Sequence, residues 1–280
     1  MINPKKLFIF FKSLLERTLI RRKLRPQIKL FFNTPTPGLY FQIPKIDSNN
    51  IYIATVAYNN SQAISHQIRL VTKYLSDCYV YIVLDNSSDP KSSLKIEQLC
   101  AESNIHYINL PNNPYSGFDP SFSHGLALQW FLKNWVIPKK IKYFGFIDHD
   151  IYPIRRTTLT DKLNDAPCYG HIQYRRNYWY LWPGFCFINT DKINPVTLNF
   201  LPVHSMQMDT GGGNWKALSK IELQTIEVPK YRLQNITNST EKQNNSIEFI
   251  GDWAHTFNAS GWMKHEPEKI IKVRQFLDSL

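Results

Sequence analysis

The residues best suited to chemistry form one short run, Asp148-His149-Asp150, directly after the apolar Phe144-Gly145-Phe146-Ile147. Two carboxylates one residue apart repel each other unless a cation joins them. Oxygen ligands of this kind suit Mg²⁺ or Mn²⁺, and such an ion would also take up phosphate oxygens. Solvated acids at a strand end are the plainer alternative. A second polar run, Asp85-Asn86-Ser87-Ser88, also follows an apolar stretch, Tyr79–Leu84. An aspartate there can accept from a base N–H or a ribose hydroxyl, and the residues after it form turns readily.

Further candidates lie outside these two runs. Ser121, Ser123 and His124 stand at a helix entrance, where free backbone N–H groups favour phosphate or sugar oxygens; Ser121 also reads as a simple cap. Trp179 and Trp182 belong to an aromatic-rich turn with Pro183, Gly184 and Phe185, and aromatic faces stack on the apolar faces of sugars. A core cluster accounts for them equally well. Met208-Asp209-Thr210-Gly211-Gly212 sets a carboxylate just before a glycine-rich helix entrance, and His255 follows the strand-like stretch before Gly251.

The elements that must position these residues alternate. The pattern predicts a strand over Ile51–Ala57, a helix over 61–76, a strand over Tyr79–Leu84 and a helix over 91–102. A strand over Ile105–Asn109, a helix over about 121–134 and a strand over Tyr143–Ile147 follow. Short strands alternating with helices imply an α/β fold with a mostly parallel sheet covered on both faces. In such sheets ligands bind outside the carboxyl ends of the strands, where Asp85 and Asp148 stand. Strands are expected at 168–174 and 184–189, a turn opening a helix at 208–214, and a polar loop at 234–246.

In their order these motifs resemble the GT-A-fold nucleotide-sugar glycosyltransferases, the family 2-like group in particular. Thr55-Val56-Ala57-Tyr58-Asn59 matches the family's first strand end, Asp85-Asn86-Ser87-Ser88 the second, and Asp148-His149-Asp150 its D-x-D. The resemblance implies a GT-A-like (Rossmann-like) domain over 51–280, with a nucleotide-sugar-binding half at 51–155 and an acceptor-binding half at 156–280. It implies a metal-dependent, inverting transfer of a sugar from a UDP-linked donor to a glycan or glycolipid. Ala57, Tyr58, Asp85, Asn86, His124 and Asp148 would hold the donor; Asp148, Asp150 and His255 would hold Mn²⁺ or Mg²⁺; Trp179 and Trp182 would meet the acceptor. Asp209 would be the general base, although the family's usual neighbouring Glu is missing. The loop 112–125 also departs from the family pattern.

Composition narrows the alternatives. The chain has 280 residues and a formal net charge of +11, but the first thirty residues carry +8, leaving +3 for the rest. A nucleic-acid-binding body would be basic throughout, so no nucleic-acid partner is expected. A sugar-phosphate nucleotidyltransferase would open with a glycine-rich loop, where this chain has Ala57-Tyr58-Asn59-Asn60. A non-catalytic sugar-binding relative stays open. In residues 1–32 the basic side chains interleave with Leu, Phe and Ile, as in amphipathic helices that lie on anionic membranes, and 33–50 reads as a linker. The expectation is a cytoplasmic protein, peripheral at the cytoplasmic face of the membrane. Four scattered cysteines without a C-x-x-C pair agree with a reducing compartment.

Overall fold

The computed structural model describes residues 19–20, 22–34, 47, 49–175, 177–236, 246–257 and 267–280. Strands β1 (Ile51–Ala57), β2 (Tyr79–Asp85), β3 (His106–Asn109) and β4 (Tyr143–Ile147) are parallel. They join β6 (Cys168–Arg175) and β7 (Tyr178–Asn189) in one six-stranded sheet, ordered β3-β2-β1-β4-β7-β6. Only β7 runs against the direction of the other five strands, so the sheet is mostly parallel, as expected.

Parallel neighbours need crossovers, and helices α2 (Ser61–Tyr74), α3 (Pro90–Glu102) and α4 (Pro120–Phe131) supply them. Side-chain alternation divides β1 between two cores. Tyr52, Ala54 and Val56 pack with Phe122, Leu126 and Phe131 of α4. Ile51, Ile53 and Ala57 pack with Ile64, Ile68 and Val71 of α2. Both faces are therefore covered, which is why β1 is an unbroken buried run rather than an apolar–polar alternation.

After α4 come a π-helical turn (Leu132–Val136) and the short α5 (Ile137–Lys139). The remaining helices are α6 (Thr160–Leu163), α7 (Trp215–Leu218) and α8 (Pro267–Asp278). A second, antiparallel sheet orders β5 (Ile151–Pro153), β10 (Trp253–His255), β9 (Ser246–Ile250) and β8 (Tyr231–Asn235).

Several local expectations change. The aromatic stretch around Trp179–Phe185 is not a turn but the middle of β7, paired with β6 through a register shift between Gly170 and Ile172. Trp179 packs against one core and Trp182 against the other, so the two rings do not form one stacking surface. Asp119, not Ser121, caps α4, accepting from the Phe122 N–H at 3.2 Å. Part of the expected polar loop is β8, which ends at Asn235; residues 237–245 lie outside the described residues.

The segment expected to lie on a membrane is described only in part, and residues 1–18 are not among the described ones. Residues 22–33 form a helix, α1, that docks on the body: Phe31 is fully buried, and Leu24, Ile28 and Phe32 pack on the same core. The Lys133 ammonium sits 4.3 Å above the Phe32 ring. Arg22, Lys23, Arg25 and Lys29 are exposed. The helix reaches residue 33, and most of the expected linker, residues 35–46 and 48, lies outside the described residues. No described helix is long and apolar enough to cross a membrane.

Candidate active site

β1 lies between β2 and β4, so successive connections leave it in opposite directions across the sheet. This is the switch point where open α/β sheets bind ligands. Ala57 ends β1 opposite Asp85 at the end of β2, and Asp148 follows β4 on the other side.

The turn carrying the two acids is pinned from several directions. The Asp148 N–H donates to the Gly184 carbonyl (2.9 Å), and the Ile151 N–H donates back to the Asp148 carbonyl (2.9 Å). Gln67, fully buried on α2, gives its amide N–H₂ to the carbonyls of Asp148 (2.8 Å) and Ile151 (2.7 Å). The Thr256 N–H donates to the Asp150 carbonyl (3.0 Å). His149, buried between the acids, has Nδ1 2.9 Å from the Val56 carbonyl; that oxygen can only accept, so Nδ1 carries the proton. A cleft floor fixed in this way holds the carboxylates without any ligand.

The carboxylates meet imidazoles. His124 Nε2 lies 3.4 Å from Asp148 Oδ1, and His255 Nε2 lies 3.5 Å from Asp150 Oδ1. His255 arrives through the second sheet, where it pairs with Ile151 of β5 and, on its other side, with Glu248 of β9. Its Nδ1 is 2.6 Å from Glu248 Oε2. Burial alone would lower the His255 pKa, but Asp150 and Glu248 outweigh it and raise it. Glu248 moves the other way: burial would raise it, yet bonding to His255 and Tyr231 holds it below the usual carboxylate range. Burial, with repulsion from Asp150, raises Asp148 despite the opposing pull of His124.

Two carboxylates and an imidazole whose second nitrogen is held by a carboxylate are donor chemistry that suits Mn²⁺ or Mg²⁺. Among the described residues, no group of three His, Cys, Asp or Glu side chains stands close enough together to hold a metal ion. The acids and histidines are instead drawn up in two pairs.

On the nucleoside side the expected residues are neighbours, but their polar groups are largely engaged with one another. Asp85 is buried and accepts from the Ser87 N–H (2.9 Å), the Ser93 hydroxyl (2.6 Å) and the Tyr107 hydroxyl (2.7 Å). Asn86 bonds to the Ser123 hydroxyl and accepts from Asn113, both at 3.0 Å. Tyr58 is half-buried, its hydroxyl 3.2 Å from that of Ser88. Ala57 lends its carbonyl to the Asn86 N–H. Asp85 and Asn86 thus tie the turn after β2 to α3, β3 and the start of α4.

Trp182 is half-buried with its ring 4.9 Å from that of His255, on the same side as the acid pair; Trp179 is packed elsewhere. Asp209 is exposed, and its Oδ1 accepts the N–H of Thr210 (2.8 Å). The Thr210 hydroxyl donates to the Ser121 carbonyl (3.0 Å), tying this segment to the start of α4, one turn before His124.

Sequence reasoning missed Gln67, Glu248, His149 and the pair Asp119–His204. A polar residue on the apolar stripe of a helix was a signal for Gln67, and a lone acid inside the apolar Ser246–Ile250 was one for Glu248. Nothing in the sequence joins Asp119 to His204.

No protein-family model and no curated sequence matches the chain. Among solved structures, it is similar to glucosyl-3-phosphoglycerate synthase from Mycobacterium tuberculosis, in a complex with Mn²⁺, UDP and glucosyl-3-phosphoglycerate. That match has a TM-score of 0.43 and 15% identity, covering 64% of this chain and 68% of the other. A mannosyltransferase from Pyrobaculum calidifontis, in complex with GDP-Man and Mn²⁺, gives 0.45 and 10%, covering 79% and 65%. S. aureus TarS gives 0.29 and 23%, covering 40% of this chain and 18% of that one. With every TM-score below 0.5, these likenesses assign neither substrate nor mechanism, and the functional case rests on the geometry.

Proposed function

We propose that the protein is a glycosyltransferase that moves a sugar from a nucleotide-diphospho-sugar, UDP-linked in our reading, to a glycan or glycolipid acceptor. One observation carries this reading: at the carboxyl edge of the sheet, beside its switch point, Asp148 is paired with His124 and Asp150 with His255, with Glu248 behind the second imidazole. Asp148, Asp150 and His255 would hold Mn²⁺ or Mg²⁺. When bound, such a cation neutralises charge on the departing diphosphate.

The chain's own residues account for the rest. Ala57 and Tyr58 border the nucleoside, while Asp85 and Asn86 shape the wall behind it. His124 stands beside Asp148 at the donor. Trp182 offers its ring to a sugar next to His255. The acceptor hydroxyl must lose a proton as it attacks the anomeric carbon with inversion, and the family resemblance gives that task to Asp209. The N-terminal segment is proposed to bring the protein to an anionic cytoplasmic membrane surface through residues 1–18, since the apolar side of α1 is already docked.

The test is release of UDP from UDP-sugars with Mn²⁺ or Mg²⁺. Asp148→Asn and Asp150→Asn should each reduce it by ~10²-fold or more. Wild-type turnover in both variants would remove the carboxylates from the site.

A further inference from the structure

Next to the start of α4 lies a cavity of about 610 Å³ lined by Asp119, Ser121, Arg175, His204, Met208 and Asp209. Ser121 of this lining is one helical turn along α4 from His124, whose Nε2 lies 3.4 Å from Asp148 Oδ1, so one helix connects the cavity with the acid turn. We propose that the acceptor sits in this cavity and that His204, oriented by Asp119, takes the proton of its attacking hydroxyl. The proposal rests on the glycosyltransferase reading and reassigns its base.

His204 Nε2 lies 3.2 Å from Asp119 Oδ2. The other oxygen of Asp119 accepts the Phe122 N–H at the head of α4, so the carboxylate is fixed by the helix it caps. A carboxylate oxygen accepts, so Nε2 carries the hydrogen of this bond, and Nδ1 is the nitrogen that holds the lone pair in the neutral ring. Nδ1 has no hydrogen-bond partner among the described residues. The Phe122 ring stands edge-on to the imidazole at 5.2 Å and restricts its rotation. A base whose orientation is set by a third group is the arrangement expected for proton abstraction from a hydroxyl.

Asp209, on the same cavity, is less well held. It is exposed, and its Oδ1 is turned to the neighbouring Thr210 N–H. An imidazole is also better matched than a carboxylate to proton transfer near neutral pH. In the step, the acceptor's O–H proton passes to His204 Nδ1 while its oxygen bonds to the anomeric carbon. The bond from that carbon to the diphosphate oxygen breaks, and its electron pair leaves with the nucleoside diphosphate. Asp209 is left to hydrogen-bond the acceptor.

The experiment follows nucleoside diphosphate release by the full chain from a panel of UDP- and GDP-sugars with Mn²⁺, with water or added glycans as acceptor. UDP binding is measured in parallel by calorimetry. His204→Gln should reduce turnover by ~10²-fold or more with UDP affinity unchanged, and Asp119→Asn by ~10-fold or more. Added imidazole should restore part of the activity of His204→Gly, which a purely structural role would not allow. Asp209→Asn should lose less than His204→Gln. Turnover abolished by Asp209→Asn and untouched by His204→Gln would overturn the proposal while leaving sugar transfer intact. Loss of UDP binding in His204→Gln, with no imidazole rescue of His204→Gly, would also overturn it. A wild-type chain that neither binds UDP nor releases it from any donor would overturn both readings.

Discussion

His149 Nδ1 lies 2.9 Å from the carbonyl oxygen of Val56, joining the residue between the two site carboxylates to the central strand of the sheet. The turn after β4 is thereby held to β1 as well as to α2. A buried carbonyl that loses its donor bears its desolvation cost alone, so His149→Ala should destabilise the fold by ~1–3 kcal/mol. Urea unfolding measures this. A free-energy change near zero would show that the bond is incidental.

Glu248 holds the nitrogen of His255 that faces away from Asp150. Partners of this kind orient a metal-binding imidazole, so Glu248→Gln should weaken Mn²⁺ binding by ~10–100-fold with the fold retained. Calorimetric titration of Mn²⁺ into wild type and variant decides the matter, and equal affinities would remove Glu248 from the site.

Gly145 sits in the middle of β4, where a Cβ would come 2.0 Å from Phe187 Cδ1 and 2.8 Å from the Cys186 carbonyl. The backbone oxygen cannot move aside as a side chain can. Gly145→Ala should cost ~1–3 kcal/mol and disturb the strand that delivers Asp148. Thermal unfolding tests this, and an unchanged midpoint would mean that β4 and β7 separate readily.

Phe31 is fully buried against the body. Phe31→Ala should cost ~3–5 kcal/mol, so removing all of residues 1–32 tests stability before it tests membrane binding. Deleting 1–18 alone keeps α1 and should abolish sedimentation with anionic liposomes. Undiminished sedimentation would end the membrane proposal.

Burial lowers the pKa of His66, and the nearby Arg69 and Arg274 add to that effect while Asp278 opposes it. The folded value lies below the unfolded one, so the unfolded chain takes up the proton first as pH falls. Stability is full above the ordinary histidine value of about 6.5 and declines below it. The urea midpoint of wild type should therefore drop more between about pH 7.5 and about pH 5.5 than that of His66→Gln. Equal drops would show that other groups control acid stability.

How much of this was legible in the sequence depended on distance along the chain. The parallel strands are compact apolar runs, and their polar ends follow directly, so Asp85, Asp148 and Asp150 could be placed at one edge of a sheet before any coordinates. The aromatic run of β7 was not legible. It reads as a turn in the sequence; as a strand, alternation sends its two tryptophans, three residues apart, to opposite cores. His255 could be nominated as an isolated histidine, but its pairing with Glu248 depends on the antiparallel register of β9 and β10.

Local chemistry therefore determined the parallel strands, the helices between them and the two carboxylates, because backbone propensity and side-chain alternation act over a few residues, whereas the switch point came from the strand order. Tertiary structure alone decided that His149 faces Val56, that Gln67 braces the acid turn, that α1 docks through Phe31, and that His204 meets Asp119 across 85 positions. Those are contacts between elements, fixed by sheet order and packing rather than by any nearby residue.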